Sequence, residues 1–77
     1  MRLEELMEIL KAICEEKEEI LPTQRLREDL CMTSFSFMML MVRLENVLSC
    51  TLEPEFLIGV ETVQELYEKI CEKEKGK

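Results

Sequence analysis

Leu30-Cys31-Met32-Thr33-Ser34-Phe35 is the stretch whose reading decides the fold. Arg27-Glu28-Asp29 precedes it, and an apolar run ending at Leu44-Glu45 follows it. A hydroxyl residue just before an apolar-periodic segment marks a helix start, because its oxygen accepts from one of the N–H groups that the first turn leaves unpaired. Thr33 fills that place, and the spacing predicts a helix over residues 34–48. Phe37, Leu40, Met41, Leu44 and Leu48 form one stripe at helical spacing, the stripe expected to face a core. Phe35, Met38, Met39 and Val42 repeat at i, i+3, i+4 and i+7 on another side, so the segment before Arg43 is apolar almost all round. A chain of 77 residues has too small a core to bury both stripes.

Outward from this helix, the chain reads as helical at both ends. Leu3, Leu6, Met7, Leu10, Ile13 and Cys14 recur at helical spacing among charged residues, which predicts an amphipathic first helix running to about Glu18. Pro22, and the extended geometry it imposes on Leu21, is the expected stop. A long loop anchored by Leu26 and Leu30 then leads to Thr33. After Ser49-Cys50-Thr51, Pro54 suits a first helical position and Gly59 a stop, which predicts one short turn of helix. Thr62-Val63-Gln64-Glu65 has capping-box spacing, and Val63, Leu66, Tyr67, Ile70 and Cys71 give a last helix its inward face. Residues 72–77 are charged and expected to fray. With no internal repeat, strand alternation or linker, residues 1–77 form a single all-α domain.

Composition narrows the functions. The net charge of −7 disfavours nucleic acid, whose phosphates repel such a surface, and favours partners with basic patches. No apolar run is long enough to span a bilayer. Cys14, Cys31, Cys50 and Cys71 are widely spaced, with no Cys-x-x-Cys pair and no signal peptide, and read as free thiols in a cytoplasmic protein. The chain has no histidine and no nucleophile–base pair, so an enzyme in its own right is disfavoured. Glu15, Glu16, Glu18 and Glu19 with Glu28 and Asp29 read as a solvated charged face rather than a cation site, and no metal is expected.

The stretch around Ser34 resembles the attachment site of acyl carrier proteins, where a Leu-Gly-x-Asp-Ser-Leu segment opens the second helix. Ser34 falls on the serine of that segment, Arg25-Leu26-Arg27-Glu28-Asp29-Leu30 resembles the loop before it, and Val63-Gln64-Glu65-Leu66-Tyr67-Glu68-Lys69-Ile70 resembles the last helix. The resemblance covers nearly the whole chain. It implies an acyl-carrier-like four-helix bundle of three longer helices and one short one, with 4'-phosphopantetheine carried on Ser34. It also implies a covalent carrier of an acyl or aminoacyl thioester, not a catalyst, serving fatty-acid, polyketide or nonribosomal peptide synthesis. The implied partners are a phosphopantetheinyl transferase, which supplies the arm from coenzyme A, and ligase, transferase and synthase enzymes; the chain is expected to be a monomer. A start methionine fits a discrete-enzyme system.

Three departures from the family pattern stand out. Cys31 replaces the usual glycine, Thr33 replaces an aspartate that helps the transferase dock and hold its metal, and Ser36, Met39 and Asn46 occupy positions where acids are typical. Glu45 is left as the main carboxylate of that helix. Phe35, Met38, Met39, Val42 and Glu45 are the expected docking residues, suited to a partner groove that is itself apolar. From local sequence, Ser34 has a second reading, as a cap shared with Thr33 and Ser36. The alternative for the whole chain is an unmodified helical interaction module using the stripe over residues 35–42.

Overall fold

The computed structural model describes residues 1–15 and 17–75. Three α-helices, α1 (Leu3–Ile13), α2 (Ser34–Leu48) and α3 (Val63–Lys75), are joined by loops, the second of which contains a single 3-10 turn, Pro54–Leu57. Among the described residues there is no strand. The all-helical class is the expected one, and the predicted short helix takes the form of that tight turn, with Pro54 at its start and Gly59 beyond it at φ 83°.

The apolar stripes explain the packing. Leu6 and Leu10 of α1, Leu40, Leu44 and Leu48 of α2, and Val63, Leu66 and Ile70 of α3 are buried together, and α1 packs against both other helices. Ile20, Leu26, Leu30, Met32 and Leu52 come from the loops to close the same core. Leu26 and Leu30 anchor the first loop as expected; Met32 is a third anchor that its neighbours did not single out. No polar or charged residue is buried among the described residues, so helix packing here is an apolar burial problem alone.

Two ends differ from expectation. α1 stops at Ile13, well short of Glu18 and of Pro22. The Cys14 N–H still donates to the Leu10 carbonyl at 2.8 Å, but the following residues are dominated by carboxylates, which are unfavourable at the negative end of a helix. Charge rather than proline ends this helix. At the other terminus, α3 continues through Lys75 where fraying was expected from residue 72, with Lys73 and Lys75 in its last turn complementing the same dipole. Residues 76 and 77, also part of the expected tail, lie outside the described residues.

The loop before α2 is held at mid-length by the start of α3. Leu26 N–H donates to the Glu61 carbonyl at 2.8 Å, Val63 N–H to Gln24 at 3.0 Å and Gln64 N–H to Pro22 at 2.9 Å, around an antiparallel bridge between Arg25 and Thr62. Within the loop, Asp29 Oδ2 accepts from the Arg25 N–H at 2.7 Å. Leu30 N–H donates to the Arg25 carbonyl at 3.0 Å, and Met32 N–H to Leu26 at 3.1 Å. These bonds bring the chain to Thr33 in extended geometry, ready to turn into α2.

Candidate functional site

Thr33 caps α2. Its Oγ1 accepts from the Ser36 N–H at 3.3 Å and lies 3.2 Å from the Ser36 hydroxyl, while its carbonyl accepts from Phe37 N–H at 3.0 Å. Two of the three neighbouring hydroxyls are thereby engaged with each other. Ser34 is the first residue of the helix, exposed, and its hydroxyl has no hydrogen-bond partner among the described residues. The amides of Ser34 and Phe35 likewise find no acceptor there, as is usual for the first turn of a helix. No acidic residue stands in that turn, so a negative group on Ser34 would meet the positive end of a 15-residue helix without a competing carboxylate.

The surroundings add charge and shape. Ser34 opens onto a groove of about 580 Å³ between the first loop, the start of α2 and the 3-10 turn, lined by Arg27, Phe37, Leu57, Ile58 and Val60 among others. The Arg27 guanidinium lies over the Phe37 ring, 5.3 Å from its centroid, a contact worth about 0.5–1 kcal/mol at an exposed site. Arg25, on the same rim, is paired with Glu28 at 2.7 Å, which holds its guanidinium charged and raises its pKa. Asp29 is turned inward to the loop backbone. Glu28 and Glu61 line the same groove as Arg25 and Arg27, so its formal charges balance, and Arg27 is the cation there that makes no ion pair among the described residues. Arg27 and the apolar wall were not singled out from sequence, because their meeting joins three segments distant along the chain.

The expected docking positions separate into exposed and engaged residues. Phe35, Met38 and Val42 are exposed at 69%, 66% and 56%, a contiguous apolar face beside Ser34. Met39 is half-buried. Glu45 is half-buried as well, and its Oε2 accepts from the Leu52 N–H at 2.8 Å, tying the loop after α2 back onto the helix. That bond spans a chain reversal, which no local pattern announces.

Cys31 explains itself through its backbone. Its φ is 54°, in the left-handed region that glycine enters freely and an L-residue enters at a cost of about 1 kcal/mol or more. The chain needs this conformation to turn from Leu30 into Met32 and Thr33, and supplies it without a glycine. Cys31→Gly is expected to raise stability by about 0.5 kcal/mol, relief of strain being partly offset by the freer unfolded chain, and Cys31→Val to lower it by about 1 kcal/mol. Urea melts of the two variants check this, and equal midpoints would count against it. Cys14, half-buried at the end of α1, has its thiol pKa pushed up by burial, with Lys17 opposing, so it is a poor thiolate. Among the described residues no cluster of His, Cys, Asp or Glu is placed to hold a metal ion; Glu16 lies outside them. No helix among them is long and apolar enough to cross a membrane.

The bundle presents an exposed serine with an unengaged hydroxyl at a helix start, beside a groove that Arg27 lines. The chain matches the family described as phosphopantetheine attachment site over residues 4–70, and it belongs to that family. Neither a curated protein nor a solved structure gives a significant match. Family membership implies a covalently attached 4'-phosphopantetheine, and members are generally substrate carriers rather than catalysts. The site fits that group: an unengaged hydroxyl for the phosphodiester, free amides and the Arg27 guanidinium for its charge, and a groove alongside.

Proposed function

We propose that this chain holds an acyl or aminoacyl group as a thioester on a 4'-phosphopantetheine arm attached to Ser34, and presents it to ligase, transferase and synthase partners. The observation that carries the reading is the division of labour among the hydroxyls: Thr33 does the capping, so Ser34 is left with no structural task. The arm supplies the thiol, the helix start favours its phosphodiester, and no base is needed on the chain itself. The domain works as an acyl-carrier-like bundle in which the 3-10 turn does the duty of the short fourth helix. Incubation with coenzyme A and a phosphopantetheinyl transferase, followed by intact mass and tandem mass spectrometry, tests it. One arm located on Ser34 is expected, and an arm found on Ser36 or Thr33, or on no residue, sinks the assignment.

Phe35, Met38 and Val42 form the partner-docking face in this reading, with Met39 at its covered edge and Glu45 occupied by Leu52. An apolar face of this kind suits a partner groove that is itself apolar, in place of the charge pairing an acidic helix would use. Met38→Glu is expected to weaken transfer to such a partner about tenfold, by leaving a carboxylate poorly solvated at the contact, without changing the fold. Acyl transfer from loaded wild type and variant measures this. Equal rates would show that the face is not a specificity surface.

A further inference from the structure

We infer that Arg27 is the anchor for the phosphodiester of the arm, seating the arm along the groove between the first loop and the 3-10 turn. This rests on the carrier reading of Ser34 and adds where the arm lies. Ser34 and Phe37 are three residues apart on α2, so their side chains are surface neighbours about 5–6 Å apart at Cβ. The Arg27 guanidinium is stacked over that same Phe37 ring at 5.3 Å, and both arginine and serine line one groove. A phosphate on Ser34 Oγ is thus within the reach of a guanidinium that makes no ion pair among the described residues.

Arg25 is the other cation on the rim, and it is committed to Glu28 at 2.7 Å. The planar guanidinium is suited to both tasks at once, stacking by its face and donating to phosphate by its edge. Thr33 is neutral and the first turn of α2 holds no acid; of the two carboxylates that line the groove, Glu28 is paired with Arg25, and Glu61 is the one left to oppose a phosphate that Arg27 attracts. Beyond Arg27 the groove is walled by Leu57, Ile58 and Val60, and Ile58 is 70% exposed, an apolar surface that the gem-dimethyl segment of pantetheine would cover.

The test uses the loaded protein and its nuclear magnetic resonance spectra. Intact mass first establishes that wild type, Arg27→Gln, Arg27→Lys and Arg25→Gln each carry one arm on Ser34. In wild type, nuclear Overhauser contacts are expected between the pantetheine methyl protons and Ile58 or Val60. Arg27→Gln is expected to lose those contacts and shift the phosphorus resonance, with Arg27→Lys partly restoring both and Arg25→Gln changing neither. Raising the salt should move the wild-type phosphorus resonance towards that of Arg27→Gln, since screening weakens an exposed charge pair. Identical spectra for loaded wild type and Arg27→Gln, or an effect confined to Arg25→Gln, overturn this inference and leave the carrier reading standing. Absence of any added mass overturns the carrier reading, and this one with it.

Discussion

Ser34→Ala is expected to take up no phosphopantetheine under conditions that load the wild type completely. The transfer joins the serine oxygen to the phosphopantetheine phosphorus of coenzyme A, breaking its pyrophosphate and releasing adenosine 3',5'-bisphosphate, and alanine has no oxygen to form that bond. The neighbours are not expected to substitute. Thr33 Oγ1 accepts from the Ser36 N–H and lies within hydrogen-bond distance of the Ser36 hydroxyl, so both are already engaged. The same variant should remain as stable as wild type to within about 0.5 kcal/mol, because Ser34 makes no structural hydrogen bond. Thr33→Ala, by contrast, should cost about 1 kcal/mol by removing the cap. Intact mass and urea melts on the two variants separate attachment from capping, and residual loading of Ser34→Ala would contradict the assignment.

Leu44→Ala is expected to cost about 2–5 kcal/mol, whereas Met39→Ala should cost less than about 1 kcal/mol. Leu44 is wholly buried in the middle of the core, with Leu40 and Leu48 on the same stripe and helices α1 and α3 contributing to the same cluster. Truncating it removes apolar contacts and leaves a cavity that three packed helices can close only partly. Marginal domains hold only about 5–15 kcal/mol in all, so the loss is a large share of the total. Met39 is half-covered and keeps access to solvent, so its removal opens no void. Urea melts rank the pair, and the opposite ranking would show the faces of α2 to be reversed.

The parts of the fold that a reader of the sequence can see are those written in local chemistry. Thr33 before an apolar-periodic run, and the Thr62 to Glu65 box, are complete within a few residues, and α2 and α3 begin where those signals stand. The core stripe of α2 is likewise legible, because burial follows the helical period. α1 ends earlier than its apolar spacing suggests, since the stop comes from accumulated charge, a weaker signal than the proline beyond it. Glu45 and Arg27 were unreadable in a different way. Each acquires its partner, the Leu52 amide and the Phe37 ring, only when separate segments meet, and a charge outside the core carries no pattern that says whom it will meet.

The three backbone hydrogen bonds and the bridge at Arg25 and Thr62 divide a long connection into two shorter spans. A loop's freedom grows with its length, so pinning its middle shortens the span that leads from the pinned point to Ser34. The segment that delivers Ser34 is therefore referenced to the start of α3 rather than to the end of α1. A carrier must meet several enzymes in turn, each of which approaches the same oxygen from outside. Fixing its pedestal to one helix lets successive visitors find a constant stereochemical address.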